Sequence, residues 1–444
     1  MKPLYVFTFL FLITLFFSCK DDLEFTDNAG QLSPTSSSQI IANKGVKIVI
    51  LSDIHVMDPS LLVKDGTAFQ TYLSKDPKLL QYSTEILQVT IAKIISLRPD
   101  LVLISGDLTK DGEKISHETV SRMLYQLTMN GIKVVVTVGN HDVNNPEALR
   151  YIKDRTASVP NVSADKIPAI YANYGFNNAI SRDANSLSYV NEPVKGIRII
   201  SIDANKYYLN TTTNIWGGVI KPETMTWIKE QLANAKAEGK TVIGLMHQGL
   251  IEHYSLQNMV DPGYVVDNYE STADELIDAG MKIIFTGHYH ATDITKREHK
   301  GKFIFDVETG STLNYPCTFR ILSIKGNEFS FKPQSASVLL GQRFNTYART
   351  FLSDHLDGYF SYVLMNSYGV PAQYAPGFAL YFKAAAMAHF AGDEVMPSAV
   401  YQQFTQLNAL DPTKTLSSVL GSLWTDINTP DNCVTINMES GTVQ

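Results

Sequence analysis

The sequence predicts an α/β fold, and three observations lead to this fold class. Seven short apolar runs rich in β-branched residues lie between residues 46 and 307, as expected for strands buried on both faces. Stretches with apolar residues at helical spacing separate the earlier runs. The chain has 444 residues, 44% apolar and 18% charged, so it is an ordinary globular chain with room for two or three domains.

The N-terminus is predicted to be an export signal. Residues 4–17 form an apolar run behind Lys2, shorter than the ~20 residues of a bilayer-spanning helix. The run ends in FFSC at 16–19, which resembles the signal box of bacterial lipoproteins, in which the cysteine carries the lipid. We therefore predict a lipoprotein signal peptide over 1–19 with lipidation at Cys19. The alternative is a cleaved secretory signal with an incidental cysteine.

A polar tether is predicted to follow the signal. Residues 20–43 are Ser-rich and have no period. The protein is thus expected to be exported and anchored to a membrane of the cell envelope. Asp21 and Asp22 resemble the acidic tag of surface-exposed Bacteroidetes lipoproteins. Export favours an oxidising compartment, and the sequence leaves open whether Cys317 and Cys433 pair.

The region 44–345 is predicted to form the α/β domain. Helical spacing of apolar residues is found over 79–97, 117–129 and 222–237. The later apolar runs have shorter connections, so part of the sheet is expected to be antiparallel. The predicted strands are VKIVIL (46–51), LVLIS (101–105), IKVVVTV (132–138), IRIISI (197–202), TVIGLM (241–246), KIIFT (282–286) and KFIFDV (302–307).

The region 346–444 is predicted to be a C-terminal helical domain. Apolar residues recur at helical spacing over 347–368, and residues 377–390 are apolar almost all round, as in a buried helix. Two further helices are predicted, one from Ser398 and one over 416–427.

Five short polar motifs follow predicted strands of the α/β domain. Ligand sites in α/β sheets lie beyond the carboxyl ends of strands, which is where each motif falls. One motif alone would carry little weight, but five in order form a strong signal. The motifs are Asp53-Ile54-His55, Gly106-Asp107, Gly139-Asn140-His141-Asp142, the single His247, and Gly287-His288-Tyr289-His290.

The residue types of these motifs suit metal ions. Asp, Asn and His supply hard oxygen and borderline nitrogen donors, and no thiolate is among them. Because residues i and i+2 of a strand point the same way, Asp53 and His55 are expected to reach one ion together, as are His288 and His290 if the chain is extended there. Seven potential ligands exceed the need of one tetrahedral ion and suit two ions that share a carboxylate.

The series DxH…GD…GNHD…H…GHxH resembles the calcineurin-like metallophosphoesterase superfamily. The flanking SDIHV, SGDLTKDGEKISHE and GNHDVNNPEA are similar to its cyclic-nucleotide phosphodiesterase-like branch, and in particular to lipid-anchored bacterial members with a C-terminal helical domain. The resemblance extends over residues 46–335, and over the helical region by layout alone.

This resemblance implies a four-layer αββα sandwich and a centre of two divalent transition-metal ions, Mn, Fe or Zn. The ions would hold a shared hydroxide that attacks phosphorus. His141 is implied to be the general acid or an electrostatic stabiliser, and both Asp111 and Asp142 are candidates for orienting it. The resemblance assigns Asp53, His55, Asp107 and His290 to one ion and Asp107, Asn140, His247 and His288 to the other.

The family resemblance favours a metal-dependent phosphodiesterase acting on cyclic nucleotides or similar small phosphodiesters. The alternatives are a phosphomonoesterase, a hydrolase of nucleotide sugars or nucleic-acid ends, and a surface binding protein with an inactive fold, which the intact ligand set disfavours. Lys110 stands where protein phosphatases carry an acidic residue, and Gln248 replaces a second histidine. With 37 basic and 44 acidic residues and no basic block, no stable nucleic-acid partner is expected. The physiological substrate, the identity of the metals and the oligomeric state are not predicted.

Overall fold

The computed structural model of the protein describes residues 45–392, 394–398, 400, 414–424 and 429–444. The predicted signal peptide 1–19 with Cys19 and the tether 20–43 lie outside these residues, so both stay predictions. Among the described residues, no helix has the length and apolar character needed to cross a bilayer.

Most of the described strands belong to two large sheets. The strands are β1 Val46–Leu51, β2 Leu101–Ile104, β3 Lys133–Val136, β4 Leu149–Ile152, β5 Arg155–Ser158, β6 Ser181–Arg182, β7 Tyr189–Val194, β8 Ile197–Ser201, β9 Thr241–Leu245, β10 Ile283–Thr286, β11 Asp293–His299, β12 Lys302–Glu308, β13 Thr318–Lys325, β14 Glu328–Ser335, β15 Val434–Asn437 and β16 Thr442–Val443. The strand order in the first sheet is β16-β15-β14-β13-β1-β2-β3, and in the second sheet it is β11-β12-β10-β9-β8-β7-β6.

Each sheet has a parallel centre and antiparallel edges. β1, β2 and β3 pair in parallel, as do β8, β9, β10 and β12. β13 joins β1 antiparallel, and β11 joins β12 antiparallel. The prediction of a partly antiparallel sheet is therefore confirmed. The parallel strands all end at one edge of their sheet, which brings the polar segments that follow them together.

Helices cover the outer faces of both sheets. The helix Pro222–Ala237 begins at a proline, whose missing N–H is no loss in the first helical turn. The helix Tyr269–Ala279 ends at Gly280, in the left-handed conformation that glycine adopts without strain. The helices are α1 Thr67–Leu73, α2 Ser83–Leu97, α3 Lys114–Met129, α4 Ile167–Ile170, α5 Pro222–Ala237, α6 Gln257–Val260, α7 Tyr269–Ala279, α8 Ala336–Leu339, α9 Gln342–Asn366, α10 Ala375–Ala391 and α11 Thr415–Ser422.

The hydrophobic cores show a four-layer αββα arrangement, as the sequence led us to expect. One core lies between the two sheets and extends to the inner faces of α2 and α3, with Ile50, Leu103 and Phe285 fully buried in it. A second core lies between the other face of the second sheet and the helices α5 and α7, around Ile228 and Leu276. Burial of this apolar surface is the main force that holds the strand ends in place.

The C-terminal region differs in one respect from the predicted helical domain. α9, α10 and α11 agree with predicted helices, whereas the helix predicted from Ser398 lies mainly outside the described residues. The chain then ends in β15 and β16, which extend the first sheet through β14. The apolar alternation of Val434 and Ile436 packs one face of β15 into the core between the sheets. Cys317 is a buried free thiol, so it does not pair with Cys433.

Candidate active site

The structure brings all seven predicted metal ligands together at one end of the two sheets. They follow the parallel strands β1, β2, β3, β9 and β10, and their donor atoms meet in two groups, one around Asp53 and one around Asp107, which are linked by a third group of His55, Asp107 and His141. In the first group, Asp53 Oδ1 lies 3.2 Å from His290 Nε2 and 3.7 Å from His55 Nε2. The Nε2 atoms of His55 and His290 are 3.3 Å apart.

The second group is built around Asp107. Its Oδ2 atom lies 3.2 Å from His247 Nε2, which in turn lies 3.1 Å from Asn140 Oδ1. Donor atoms of Asp107, His247 and His288 all lie within 4.8 Å of one another. Asp107 Oδ2 is also 3.5 Å from His55 Nε2, so this carboxylate lies between the two groups.

Turns after the strands bring these side chains together, whereas the sequence predicted that alternation along an extended strand would do so. β1 ends at Leu51 and β10 at Thr286, so the ligands lie in turns after the strands. The expectation that Asp53 and His55 lie on an extended strand is therefore wrong, and the extended chain on which the pairing of His288 and His290 was conditional is not found. Five of the predicted ligands adopt positive φ, which costs a non-glycine residue about 1–3 kcal/mol. They are Asp53, His55, Asp107, His288 and His290, at +50°, +35°, +46°, +76° and +68°.

Two glycines allow the ligand turns to approach each other. A Cβ atom on Gly139 would lie only 2.1 Å from Asp107 Oδ1. A Cβ atom on Gly287 would lie 1.8 Å from Ser52 Oγ and 2.4 Å from Asp53 Oδ2. Any side chain at these positions would push the donor groups apart, which explains the glycines of the motifs.

The donor groups fit divalent metal ions. Asp53 Oδ1 is buried and has no hydrogen-bond partner among the described residues, although such atoms are normally paired. Burial lowers the pKa of His55 to about 4 and that of His288 to about 3, so both rings are neutral at pH 7 with a lone pair for a metal. A buried carboxylate oxygen without a hydrogen-bond partner, close to the ring nitrogens of His290 and His55, is a site for a cation.

His141 lies at the rim of this site and is held by Asp111. Its Nδ1 atom is 2.8 Å from Asp111 Oδ1, and its side chain is 23% exposed. Asp142, the other candidate, instead accepts backbone N–H groups from residues 108, 109 and 139. Burial opposes protonation of His141, but the charges of Asp107 and Asp111 outweigh it and raise its pKa to about 9. Lys110, which pairs with Asp111, holds that carboxylate in its ionised form.

Contacts of the Nδ1 atom with an oxygen atom orient the imidazole rings of two predicted ligands. His247 Nδ1 lies 2.8 Å from the carbonyl oxygen of Ser105, and His290 Nδ1 lies 2.8 Å from Asn314 Oδ1. Such contacts fix the tautomer and leave Nε2 free for a metal. Asn314 was not among the residues predicted for the site. Gln248 is buried and donates to Asn205 Oδ1 at 2.8 Å, away from the ligands.

Two aromatic residues, Tyr264 and Trp216, extend from the predicted ligands to the surface, and we call them the aromatic ladder. The ring of Tyr264 lies 4.9 Å from that of His288, and Trp216 stacks on Tyr264 with a ring separation of 6.4 Å and an angle of 23°. Gly263 makes room for the indole, because a Cβ atom there would lie 2.8 Å from its Nε1. Trp216 is 60% exposed, although a core role is the more common one for this residue type.

Comparison with known proteins places these residues in a family. The family model described as calcineurin-like phosphoesterase matches residues 46–292, more than half of the chain. A sphingomyelinase phosphodiesterase D of Dictyostelium discoideum is 23% identical over 318 residues, which is 67% of this chain and 69% of that protein. A probable cyclic nucleotide phosphodiesterase of Ruthia magnifica is 42% identical over 59 residues, 13% of this chain and 24% of that protein.

Among solved structures, a dimetal phosphatase from Danio rerio is similar. The match has a TM-score of 0.46 and 13% sequence identity, and it covers 66% of this chain and 96% of that protein.

Proposed function

This chain belongs to the calcineurin-like phosphoesterase family, and we propose that it hydrolyses phosphodiesters, with cyclic nucleotides or similar small diesters as its substrates. That it is a metal-dependent phosphoester hydrolase follows from the family and from the two donor groups. The observation that carries the proposal is the position of Asp107 between both groups, since one carboxylate can then serve two ions.

We assign the first donor group to one ion and the second group to the other, as the family resemblance implies. When bound, the ions would supply positive charge to the phosphoryl oxygens and would lower the pKa of a water nucleophile. The chain's own contribution is to position the substrate and to supply a proton. Asp111 holds His141 by Nδ1, so Nε2, 3.9 Å from Asp107 Oδ2, faces the reacting group. When the P–O bond breaks, His141 Nε2 protonates the leaving oxygen.

The aromatic ladder supports a substrate that carries a planar base. Trp216 presents one face to Tyr264, whose ring contacts that of the predicted ligand His288, and its 60% exposure leaves apolar surface in contact with solvent. Stacking of a base on an aromatic side chain contributes about 1–3 kcal/mol. Both curated relatives described above are named as phosphodiesterases, which favours a diester over a monoester.

A substrate panel tests this proposal. Purified protein is analysed for metal content and then assayed with bis-p-nitrophenyl phosphate, p-nitrophenyl phosphate, and the 2′,3′- and 3′,5′-cyclic nucleotides. We expect two metal equivalents per chain and a clear preference for diesters. Hydrolysis of the monoester alone would contradict the proposal, and absence of metal would contradict the dimetal centre.

A matched pair of variants tests the role of Trp216. Trp216→Ala should raise KM for cyclic nucleotides about 10-fold, because a stacking contact is lost. A cyclic ribose phosphate without the base should show no change. Tyr208→Ala is the control, since Tyr208 is also an exposed aromatic residue but packs near Lys221. Equal effects of Trp216→Ala on both substrates would show that the indole does not bind the base.

A second candidate substrate is a phosphodiester with a lipid or choline group. The observation that favours it is the similarity to the Dictyostelium sphingomyelinase phosphodiesterase over two thirds of the chain. Trp216 would then contact a choline cation by its ring face. Faster release of phosphocholine from sphingomyelin vesicles than cleavage of any cyclic nucleotide would select this candidate.

We further propose that the protein acts at the cell envelope, with Cys19 lipidated and residues 20–43 as a tether. The apolar run and the FFSC box support this location. The proposed domain boundary at 345/346 rests likewise on the change in apolar pattern.

A further inference from the structure

A buried charge cluster lies outside the active site. We define it as His253, Asp293, Asp306, Glu308 and His389, all of which are buried. His253 Nδ1 lies 2.6 Å from Asp293 Oδ1, and His253 Nε2 lies 3.3 Å from Asp306 Oδ2 and 3.6 Å from Glu308 Oε2. His389, from α10, has its Nδ1 atom 3.7 Å from Asp293 Oδ2. The cluster thus joins the second sheet to a helix that lies beyond the family match, which ends at residue 292.

The cluster contacts the backbone on either side of the metal ligands. Asp306 Oδ2 accepts the N–H groups of Leu250 and Ile251, just after His247, at 2.6 and 3.1 Å. Its Oδ1 atom accepts the hydroxyl of Thr286, the last residue of β10, at 2.5 Å. Glu308 Oε1 accepts the N–H of residue 291, which follows the ligand His290, at 3.2 Å.

The end of α10 packs directly on residues 287–290, which we name the ligand loop. The ring of Tyr289, between the two ligand histidines, lies 5.9 Å from the ring of His389 and 6.2 Å from that of Phe390. At Gly392, which ends α10 with φ +74°, a Cβ atom would lie 2.5 Å from the carbonyl oxygen of Thr292. The helix end therefore abuts the loop and the residues that follow it.

The ligand loop depends on its surroundings for its shape. His288 and His290 adopt φ of +76° and +68°, and such backbone persists only when the neighbouring structure holds it. The neighbours just described are the buried charge cluster and the end of α10. A change in either is therefore expected to let both imidazoles move from the positions at which they meet Asp53 and Asp107.

We propose that helix α10, in the C-terminal region, positions the metal ligands His288 and His290, with His389 and Phe390 as its positioning residues. The inference rests on the proposed function only in that these histidines bind metal. A helix of the C-terminal region, outside the segment that matches the family, then contributes to the affinity of the site for metal.

Metal affinity of the full-length chain tests the proposal. We compare His389→Gln and Phe390→Leu with Phe382→Leu, a control on the same helix whose ring packs on Phe360 at 5.6 Å. Apo-protein is titrated with Mn²⁺ or Zn²⁺ in equilibrium dialysis, and its Tm is measured without metal. Residues behind metal ligands typically contribute 10-fold to 100-fold in affinity, so we expect about 10-fold weaker binding in both test variants. The control should lose Tm but keep wild-type affinity.

The possible outcomes separate the two proposals. Wild-type affinity in both test variants, or the same weakening in Phe382→Leu, would overturn the positioning role. Loss of a third metal equivalent in His389→Gln would also overturn it, because the cluster would then bind an ion. If His389→Gln does not fold, Phe390→Leu decides the matter, since its ring is only half-buried. A wild-type protein that binds no metal would contradict the proposed function itself.

Discussion

The active site and the buried charge cluster use the same residue types, histidine and carboxylate, but pair them differently. In the cluster, His253 Nδ1 and Asp293 form a 2.6 Å hydrogen bond, and His389 bonds to the neighbouring Glu394 at 2.9 Å. His253 Nε2 forms no hydrogen bond among the described residues but has the carboxylate of Asp306 at 3.3 Å. In the active site, the Nε2 atoms of two histidines face each other at 3.3 Å, and Asp53 Oδ1 has no hydrogen-bond partner within the described part of the chain. Paired groups hold the structure together, whereas converging groups without partners are available to a ligand.

The backbone shows the same contrast. Five predicted ligands have positive φ, whereas no residue of the buried charge cluster does. Strain of about 1–3 kcal/mol per residue is tolerated where it serves binding. The cluster has no such need, because Asp293, Asp306 and Glu308 reach His253 from regular strands and His389 lies on a helix. Burial opposes the charge on His253, but Asp293 and Asp306 outweigh it and hold its pKa well above the usual range.

The largest expected effect comes from the carboxylate between the two donor groups. Asp107→Asn should abolish binding of two metals and lower turnover by at least about 10³-fold, because both ions lose a charged ligand. Metal stoichiometry and kcat are the measurements. A variant that keeps two metals per chain and normal turnover would show that the site is not a shared dimetal centre.

His141→Ala should have the next largest effect. General acid catalysis contributes about 10²–10⁴-fold, and it matters most for poor leaving groups. Hydrolysis of cyclic nucleotides should therefore slow far more than that of p-nitrophenyl diesters, with metal content unchanged. Asp111→Asn is the companion variant and should show the same substrate pattern with a smaller loss.

Two other outcomes would revise the assignment of His141. Equal losses on both substrates would make it a stabiliser of transition-state charge. Loss of metal would make it a ligand, for which its Nε2 atom, 3.9 Å from Asp107 Oδ2, is close enough.

A change within the buried charge cluster should affect stability before it affects metal number. Asp293→Asn should lower the free energy of unfolding by about 3–5 kcal/mol, because the buried His253 loses the negative charge of its closest partner. Urea unfolding of the metal-free protein measures this loss. The same exchange at Asp53 should cost less in metal-free protein, since no hydrogen bond to Oδ1 is lost. The reverse order would contradict the contrast between paired and unpaired groups.

The smallest effect on turnover is expected at Cys19, remote in sequence from both regions. Cys19→Ala should release the protein from the membrane fraction and leave its specific activity at the wild-type value. Fractionation of the native host with lipid labelling is the measurement. A wild-type protein that is soluble and carries no lipid would contradict the anchor.

The sequence by itself determined the fold class and the chemical identity of the site. Short runs rich in β-branched residues, such as 46–51 and 101–105, favour a buried strand by their length and composition. The convergence of the seven predicted ligands could be expected because each follows such a strand and parallel strands of a sheet end at one edge, while their assignment to two ions came from the family resemblance. The position of each motif directly after a predicted strand can be read from neighbouring residues, without knowledge of distant contacts.

Only the tertiary structure decided how these groups are held. Asp111 rather than Asp142 orients His141, because Asp142 is already occupied by three backbone N–H groups. The role of His253 could not be foreseen, since its partners at 293 and 306 are 40 residues or more away in the chain. Strain at the ligands, the exposure of Trp216 and the contact of α10 with the ligand loop have the same origin. Each depends on which segments meet in space, and a periodic pattern in sequence specifies only which face of an element is buried.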